Sequence, residues 1–502
     1  MAIEPSYQKI TCAKDGKTLK ERIKVECKTE IESSDVKRII NLSVTSDVTS
    51  ANVDDDKINY KGKVVYFICY EDVQGDIRKA EQGCEFSGKL EHNLDGEDFK
   101  IEGFASVEKT DVNASSLKLT LTTYSQVEFI VKTCNKIDVL TGGEGIISNG
   151  EEVELIESLG VRETVYEIEE EFEIGTEVKE VINHKAEAII TSCMAGVGCM
   201  IVDGETYLSL LLLGGEENKE IIKEQRVFPF RVEIDSEEVM PSNLCIANVK
   251  VTDFKTDISV SGGEGTSLAE AKIKLLFNAE AFENKTQTVI ADAFNIEENV
   301  KLEKTEGVIE SPCECRTETA NVSGTANVEE IVDGAKTCAS TSETVEILNA
   351  EKVGGDLLIS SIVSLNVICK DLDGRFFSRK AQLPFEYKME TNCHAKIRKI
   401  QAVVKNSRVK MNSNEEIEIQ AEITFSVNCF EEKNYSFING IEACGKKKCE
   451  TAGICVYIAQ ENESLWTLAK RLNVSKEDLI NSNNDLQFPL TGKERIVVFR
   501  QK

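Results

Sequence analysis

The chain has 502 residues, of which 41% are hydrophobic and 29% charged, and its formal net charge is −29. This length predicts several globular domains rather than a single core. The acidic balance argues against nucleic acid as a partner, because backbone binding rests on clustered Lys and Arg. No run of about 18 apolar residues occurs, so no membrane span is expected.

The N-terminal residues, MAIEPSYQKI, contain no basic region followed by an apolar stretch, so we predict no signal peptide and a cytoplasmic protein. Seventeen cysteines are scattered without C-x-x-C pairs. In a reducing cytosol most of them are expected to be small buried thiols. Since the only histidines are His92, His184 and His394, we expect no metal site and no cofactor.

Alternation of apolar and polar residues with period two dominates most of the chain and predicts half-buried strands. The first such run is LKLTL at 117–121. AKIKLLFNAEAF at 271–282 alternates in the same way, and IEIQAEITFSVNCF at 417–430 is the clearest example.

Similar motifs recur in the same order, which indicates an internal repeat. Three separated matches share an offset of 142 residues. DVKRIIN at 35–41 matches EVKEVIN at 177–183, and Gly62 matches Gly204. ASVEKTD at 105–111 matches ANVKVTD at 247–253. An aromatic residue, Phe86 or Phe230, follows near the next predicted strand.

A third copy is fainter. The segment 361–374 resembles 62–75, and Phe385 follows Ser361 by 24 residues, as Phe86 follows Gly62. Asp-Gly pairs in VDG at 202–204 and LDG at 372–374 are interpreted as hairpin turns that need a positive φ.

We therefore predict a mainly β fold with three tandem β-rich, sandwich-like domains at 1–150, 151–310 and 311–445. A small α+β module follows at 454–502. The first domain is divergent, because CEF stands where the other two have Pro-Phe, in FPF and LPF.

The C-terminal module is predicted to run strand, helix, helix, strand. ICVYIAQ at 454–460 and RIVVFR at 495–500 form the strands. SLWTLAKRL, from Ser464, places apolar residues on one helical face. Ser475 is expected to cap the second helix, with Asp478 three residues later.

This order of elements resembles the LysM family, whose fold is βααβ. The residues that carry the resemblance are Tyr457, Ser464, Leu465, Leu468, Ala469, Leu479, Asn483, Gly492, Ile496 and Val498. The family's Gly-Asp turn is replaced by Asn462-Glu463, and Asn tolerates the left-handed conformation that the turn requires.

The LysM resemblance implies a ligand groove between the first strand–helix loop and the loop after the second helix. Modules of this family usually bind glycans that contain N-acetylglucosamine. The residues implied to form the groove are Asn462, Glu463, Ser464, Leu465, Asn483, Asn484, Asp485, Leu486 and Phe488.

Three β-rich repeats followed by a LysM-like tail resemble the SipL family, and the repeats look like its SPOCS domains. The resemblance implies a scaffold that helps to assemble the spore coat around the forespore, in the mother cell. The tail would then bind a protein partner, an ATPase of the coat basement. The alternative is a peptidoglycan-binding protein of the cell wall or spore cortex, and self-association through edge strands stays open.

We do not expect an enzyme. Cys393 and His394 are adjacent, so on a strand they face opposite sides and cannot form a dyad. His92 and His184 lie in polar contexts typical of a surface. Trp466 is expected to cover the edge of its helix rather than to stack on a ligand. Asn483 is expected to tie its loop through backbone hydrogen bonds.

Overall fold

The computed structural model describes residues 3–500, apart from residues 55, 92–97, 115–116, 216–219, 261–264, 330, 332–333, 391–395, 414 and 448–452. Strands account for 82% of the chain and helices for 4%, which confirms the prediction of a mainly β protein. Within the described ranges, no helix is long and apolar enough to cross a membrane.

The first eighteen strands fall into three successive sets of six. The first set contains β1 (Glu4–Glu32), β2 (Val36–Asp54), β3 (Lys57–Asp72), β4 (Ile77–Glu91), β5 (Asp98–Asn113) and β6 (Lys118–Glu144), with a short 3₁₀ helix at Ser33–Asp35. The second set contains β7 (Ile147–Ile174), β8 (Val178–Ala195), β9 (Cys199–Gly214), β10 (Ile221–Asp235), β11 (Leu244–Val260) and β12 (Ser267–Phe294). The third set contains β13 (Glu298–Asn327), β14 (Lys336–Val353), β15 (Asp356–Lys370), β16 (Phe376–Glu390), β17 (Lys396–Met411) and β18 (Glu416–Lys446).

Each set forms two three-stranded antiparallel sheets with the same order. The orders are β2-β3-β4 with β5-β6-β1, then β8-β9-β10 with β11-β12-β7, then β14-β15-β16 with β17-β18-β13. In the first set, Val25, Val64 and Leu119 from the two sheets share one apolar cluster. Within the described residues one pair, Ala13 with Val308, joins β1 to β13. The sheets of the first and third sets are thereby continuous.

The changeovers between sets differ from the expected domain boundaries. The boundaries at 150 and 310 fall inside β7 and β13, and these strands pair with β12 and β18. The repeated motifs lie on β2 to β5 and their counterparts in the other sets, so they carry no information about where the long first strand of each set begins. The chain passes from one set to the next at 145–146 and 295–297.

The repeated glycine and phenylalanine positions are cross-strand partners. Gly62 faces Phe86, and Gly204 faces Phe230. A Cβ atom on Gly62 would lie 2.1 Å from Cζ of Phe86, and one on Gly204 would lie 2.3 Å from Cζ of Phe230. The ring therefore occupies the space that a side chain would fill. The third set keeps the pairing, with Ser361 opposite Phe385.

One of the two predicted Asp-Gly turns is wrong. Gly374 has a φ of 81° and lies in the turn between β15 and β16, as predicted. Val202, Asp203 and Gly204 instead lie inside β9, and each pairs with a residue of β10. A Cβ atom on Gly204 would lie 2.3 Å both from Cζ of Phe230 and from the carbonyl oxygen of Ile189, so Gly204 serves a close approach and not a positive φ.

The residue two positions before the repeated phenylalanine bridges the two sheets in every set. In the first set Cys84 forms a disulfide with Cys27 of β1, so this pair is an exception to the expectation that most cysteines are buried thiols. Phe228 packs against Phe172 of β7, with ring centroids 6.2 Å apart. Leu383 lies over β13 at Gly324, where a Cβ atom would be 2.7 Å from its Cδ1. The same position in the repeat thus joins the two sheets by a disulfide, by an aromatic pair or by an aliphatic side chain.

The three sets surround a common apolar core. Cys69, Leu211 and Ile368 each lie seven residues after the repeated Gly62, Gly204 or Ser361. All three belong to one buried cluster, whose other buried members are Ile40, Ile182, Leu213, Ile221, Ala339 and Phe376. Contacts run from β4 to β8, from β10 to β14 and from β16 back to β2. The sets therefore close a ring with approximate threefold symmetry.

A second shared cluster lies where the first and last strands of the sets meet. It draws Ile10 from β1, Val153 from β7 and Ile309 from β13, together with Val139, Val289 and Phe437 from the last strands. Burial of apolar surface at both clusters stabilises the ring by the hydrophobic effect.

A buried ion pair crosses the contact between the second and third sets. Nζ of Lys223 on β10 lies 2.5 Å from Oε1 of Glu343 on β14. The same ammonium group donates to Oγ of Ser340 at 2.9 Å and to Oγ of Ser407 at 2.7 Å. Because both charges are removed from water and paired, loss of one would leave the other buried alone.

His184 lies at the contact between the first and second sets. Its ring centroid is 4.8 Å from that of Phe67 and 4.5 Å from that of Phe254. Burial, with a smaller effect of Lys79, lowers the pKa of His184 to about 4. His184 is half-buried rather than exposed as expected, because aromatic residues from other strands meet it and its polar sequence neighbours do not indicate them. His92 and His394, with Cys393, lie outside the described residues.

Candidate functional site

The C-terminal segment folds as strand, helix, helix, strand. Its elements are β19 (Gly453–Ile458), α1 (Leu465–Leu472), α2 (Lys476–Ser482) and β20 (Arg495–Arg500). The two strands pair antiparallel, from Gly453 with Arg500 to Ile458 with Arg495. The buried core between strands and helices contains Ala459, Leu468, Ala469, Leu472, Val474, Leu479, Leu490, Ile496 and Val498. We call residues 453–500 the tail.

Both helices begin at a serine cap. Oγ of Ser464 accepts a hydrogen bond from the backbone N–H of Thr467 at 3.1 Å. Oγ of Ser475 accepts one from the N–H of Asp478 at 3.0 Å, as the sequence predicted. The helix α1 ends at Asn473, whose φ of 56° lies in the left-handed region that stops a helix. These caps fix where the two connecting loops start and finish.

The first loop of the predicted groove contains Asn462, Glu463, Ser464 and Leu465. Asn462 has a φ of 61°, the conformation expected for a residue in place of glycine. The Glu463 side chain is only 5% exposed. Nε and Nη2 of Arg471 donate to its two carboxylate oxygens at 2.6 and 2.9 Å. Glu463 therefore holds the loop against α1.

The same ion pair sets the charge of Glu463. Hydrogen bonding from Arg471 lowers the pKa of the Glu463 carboxyl, although burial acts in the opposite direction. The backbone N–H of Gln460 also donates to Oε2 of Glu463 at 3.0 Å. The carboxylate is thus kept ionised and fully engaged within the tail.

The second loop contains the other predicted groove residues. The Asn483 amide nitrogen donates to the carbonyl oxygens of Leu479 at 2.9 Å and Val497 at 2.7 Å. Oδ1 of Asn483 accepts from the N–H of Val497 at 2.7 Å. These bonds confirm the prediction that Asn483 ties its loop through the backbone. Asn484, Asp485 and Phe488 are exposed, whereas Leu486 packs against the tail core.

The chain beyond the second loop returns to the first. The N–H of Asn462 donates to the carbonyl of Leu490 at 2.8 Å, and the N–H of Leu490 donates to the carbonyl of Glu463 at 3.2 Å. The predicted groove residues therefore divide into two groups. Asn462, Ser464, Asn484, Asp485 and Phe488 face solvent, while Glu463, Leu465, Asn483 and Leu486 support them.

Trp466 contacts the second set of strands, which the sequence analysis missed. Its indole Nε1 donates to Oδ2 of Asp292 near the end of β12, at 2.8 Å. Its ring lies 5.3 Å from that of Phe294, and Nζ of Lys476 lies 4.9 Å from the centroid of the Trp466 ring. The prediction that Trp466 covers an edge of its helix holds, but the covering partner is another part of the chain.

Polar contacts surround this junction. Nζ of Lys470 donates to Oδ1 of Asp292 at 2.6 Å, and Nδ2 of Asn473 donates to the carbonyl of Ile296 at 2.6 Å. Nζ of Lys476 donates to Oδ1 of Asn149 at 2.8 Å. Partial burial acts to raise the pKa of Asp292, but hydrogen bonds from Lys470 and Trp466 outweigh it and leave that pKa below its ordinary value. The tail is thereby placed where β7 begins and β12 ends.

The fold and the site define a class of protein: an all-β ring of three repeated strand sets that carries a small helical tail. In the described residues, no group of three or more His, Cys, Asp or Glu side chains is arranged to hold a metal ion.

Residues 35–115 match the family model described as SipL, SPOCS domain. The match supports a relationship to the SipL family and covers β2 to β5, in the set that the sequence analysis described as divergent. No curated protein and no solved structure is significantly similar to the chain.

Proposed function

We propose that this protein is a non-catalytic scaffold for assembly of the spore envelope around the forespore, acting in the mother-cell cytoplasm. The observation that carries the proposal is the match of residues 35–115 to the SPOCS domain, which links the chain to sporulation. We further propose that each of the three strand sets is a SPOCS-like domain, because each repeats the sheet order of the matched one.

In this proposal the tail is a LysM-like module that binds a protein. Its partner is an ATPase of the coat basement, as the SipL resemblance implies, and the contact involves the exposed residues of the two loops. The engagement of Glu463 by Arg471 supports a role for the first loop as a rigid platform. A ring joined to such a module suits an assembly protein, because linked binding surfaces raise the effective concentration of each contact.

The proposal is tested by titrating the full-length chain with the coat-basement ATPase and, separately, with N-acetylglucosamine oligomers. We expect saturable binding of the ATPase that is lost in Asp485→Lys and Phe488→Ser, two exposed loop positions. Val197→Ser, at a residue 79% exposed in the turn between β8 and β9, is the matched control and should bind normally.

Binding of the glycan oligomers without the ATPase would favour the alternative, a peptidoglycan-binding protein. Equal binding of the ATPase by the loop variants and the control would move the contact away from the tail. Failure of both ligands to bind would contradict the proposed role of the tail.

A further inference from the structure

The outer edge of β7 is open along its second half. β7 is the terminal strand of the sheet β11-β12-β7, and in the described residues its only ladder partner is β12. Its first half contacts the third set, since Lys433 of β18 forms an ion pair with Glu154. From Val161 to Glu171 no such contact with another set occurs among the described hydrogen bonds and ion pairs. This segment, Val161–Glu171, is called the β7 edge.

An unpaired strand edge presents a row of N–H and C=O groups that can pair with another chain. The β7 edge also exposes apolar side chains. Val161 is 52% exposed, Val165 56% and Tyr166 38%. Beside them a groove of about 420 Å³ runs between β7 and β10, lined by Tyr166, Glu167, Ile168, Glu169, Glu170 and Pro229. The edge therefore offers backbone groups, apolar contacts and space together.

The charge of β7 separates it from the corresponding first strands. β7 carries ten glutamates and one arginine, a net charge of −9. β1 carries six acidic and seven basic residues, a net charge of +1, and β13 has a net charge of −3. Of the outward-facing glutamates 167, 169 and 171, only Glu169 forms a described ion pair, with Lys272 at 3.4 Å. The edge would repel a second copy of itself and attract a strand of opposite charge.

We infer that the β7 edge binds a basic, extended segment of another protein, which adds to the sheet as a fourth strand. Backbone hydrogen bonds would supply affinity, and alternate Lys or Arg side chains of the segment would face the glutamates. Its apolar side chains would lie over the groove between Tyr166 and Pro229. This surface is separate from the tail, so the inference stands independently of the proposed function.

The test uses the full-length protein and a fluorescent peptide of about twelve alternating Lys and Val residues, long enough to span the edge. We expect saturable binding by fluorescence anisotropy. The double variant Glu167→Lys/Glu171→Lys should weaken it at least about tenfold, because cross-strand attraction becomes repulsion. Glu26→Lys/Glu32→Lys changes net charge by the same amount on exposed positions of β1 and should bind normally.

A second peptide separates strand pairing from simple charge attraction. It has the same sequence but carries N-methyl groups on alternate backbone nitrogens, which removes donors and leaves its charge intact. We expect it to bind at least about tenfold more weakly, since ladder hydrogen bonds are lost.

The inference would be overturned if the two peptides bound with equal affinity, or if the two double variants lost affinity equally. It would also be overturned if the peptide showed no saturable binding. In the last case the glutamates would serve only to keep the edge unpaired. Sedimentation of the protein alone tests a second copy as the occupant, and a dimer that the peptide dissociates would also overturn it.

Discussion

The core of the ring and the junction of the tail are held together by different forces. The core joins three sets through fully buried apolar residues such as Cys69, Leu211 and Ile368. The tail meets β12 through Trp466 and partly exposed polar groups, including Lys470 and Asp292. Burial of apolar surface is worth far more than exposed ion pairs. The ring should therefore behave as one stable body, and the junction should be the place where the chain opens first.

The largest expected effect is at the buried ion pair between the second and third sets. Lys223→Met should lower the free energy of unfolding by about 3–5 kcal/mol, because Glu343 is left buried without its partner. Lys255→Met removes a lysine of an exposed ion pair, with Asp257, and should cost less than about 1 kcal/mol. Urea denaturation measures both, and equal costs would show that the contact between these sets is not a major source of stability.

The next effect concerns the glycine and phenylalanine pairs. Gly204→Val should destabilise the protein by about 1–3 kcal/mol or more, because its side chain would overlap the Phe230 ring. Gly175 is the matched control, because a Cβ atom there would have no neighbouring atom within 4 Å. Gly175→Val should be nearly neutral. A normal thermal midpoint for Gly204→Val would mean that the Phe230 ring and the Ile189 carbonyl can both move away at no cost.

A pH effect is expected at the contact between the first and second sets. The pKa of His184 is lowered to about 4 in the folded state from 6.5. The unfolded chain thus binds a proton that the folded chain excludes, and His184 makes stability fall as the pH decreases from 6.5 to 4. The loss amounts to at most about 3 kcal/mol. His184→Phe should remove this part of the pH dependence, measured as the difference between the two urea-unfolding profiles. If the free energy of unfolding of His184→Phe changed with pH in the same way as that of the unsubstituted protein, the prediction would be contradicted.

The smallest effect is expected at the tail junction. Asp292→Asn should weaken docking of the tail by about 1 kcal/mol, since the ion pair with Lys470 is partly exposed. Because Trp466 is the only tryptophan, its emission reports this junction directly and should shift to longer wavelength. Asp257→Asn makes the same charge change away from the junction and should leave emission unchanged. An unshifted spectrum for Asp292→Asn would show that Phe294 holds the indole in place without the carboxylate.

The sequence allowed correct prediction of what depends on local pattern. Alternation of apolar residues predicted the β fold, and the recurrent spacing of Gly62 and Phe86 marked the repeat. The Ser475 cap and the left-handed Asn462 were also predictable, because each needs only a few neighbouring residues. Contacts between distant strands were not predictable in this way. The aromatic surroundings of His184, the partner of Trp466 and the disulfide of Cys27 with Cys84 all depend on residues far apart in the sequence.

The misread turn at Gly204 has the same cause. A glycine after an aspartate is typical of a turn, but Gly204 lies within β9, where the Phe230 ring and the Ile189 carbonyl oxygen occupy the space of a side chain. Likewise, Glu463 was expected to line a groove and is instead buried against Arg471. In both cases a residue type has two physical uses, and only its three-dimensional neighbours decide between them.

The closed ring also sets an order of events during synthesis. The last contact of the cycle joins β16 to β2, which are separated by most of the chain. While the ribosome is still making the third set, the apolar faces that contain Ile40 and Leu211 stay exposed to solvent. A chain that stops early therefore exposes apolar surface that a complete chain buries, and such surface promotes aggregation. Completion of the third set is in this way what buries the apolar faces of the first two sets.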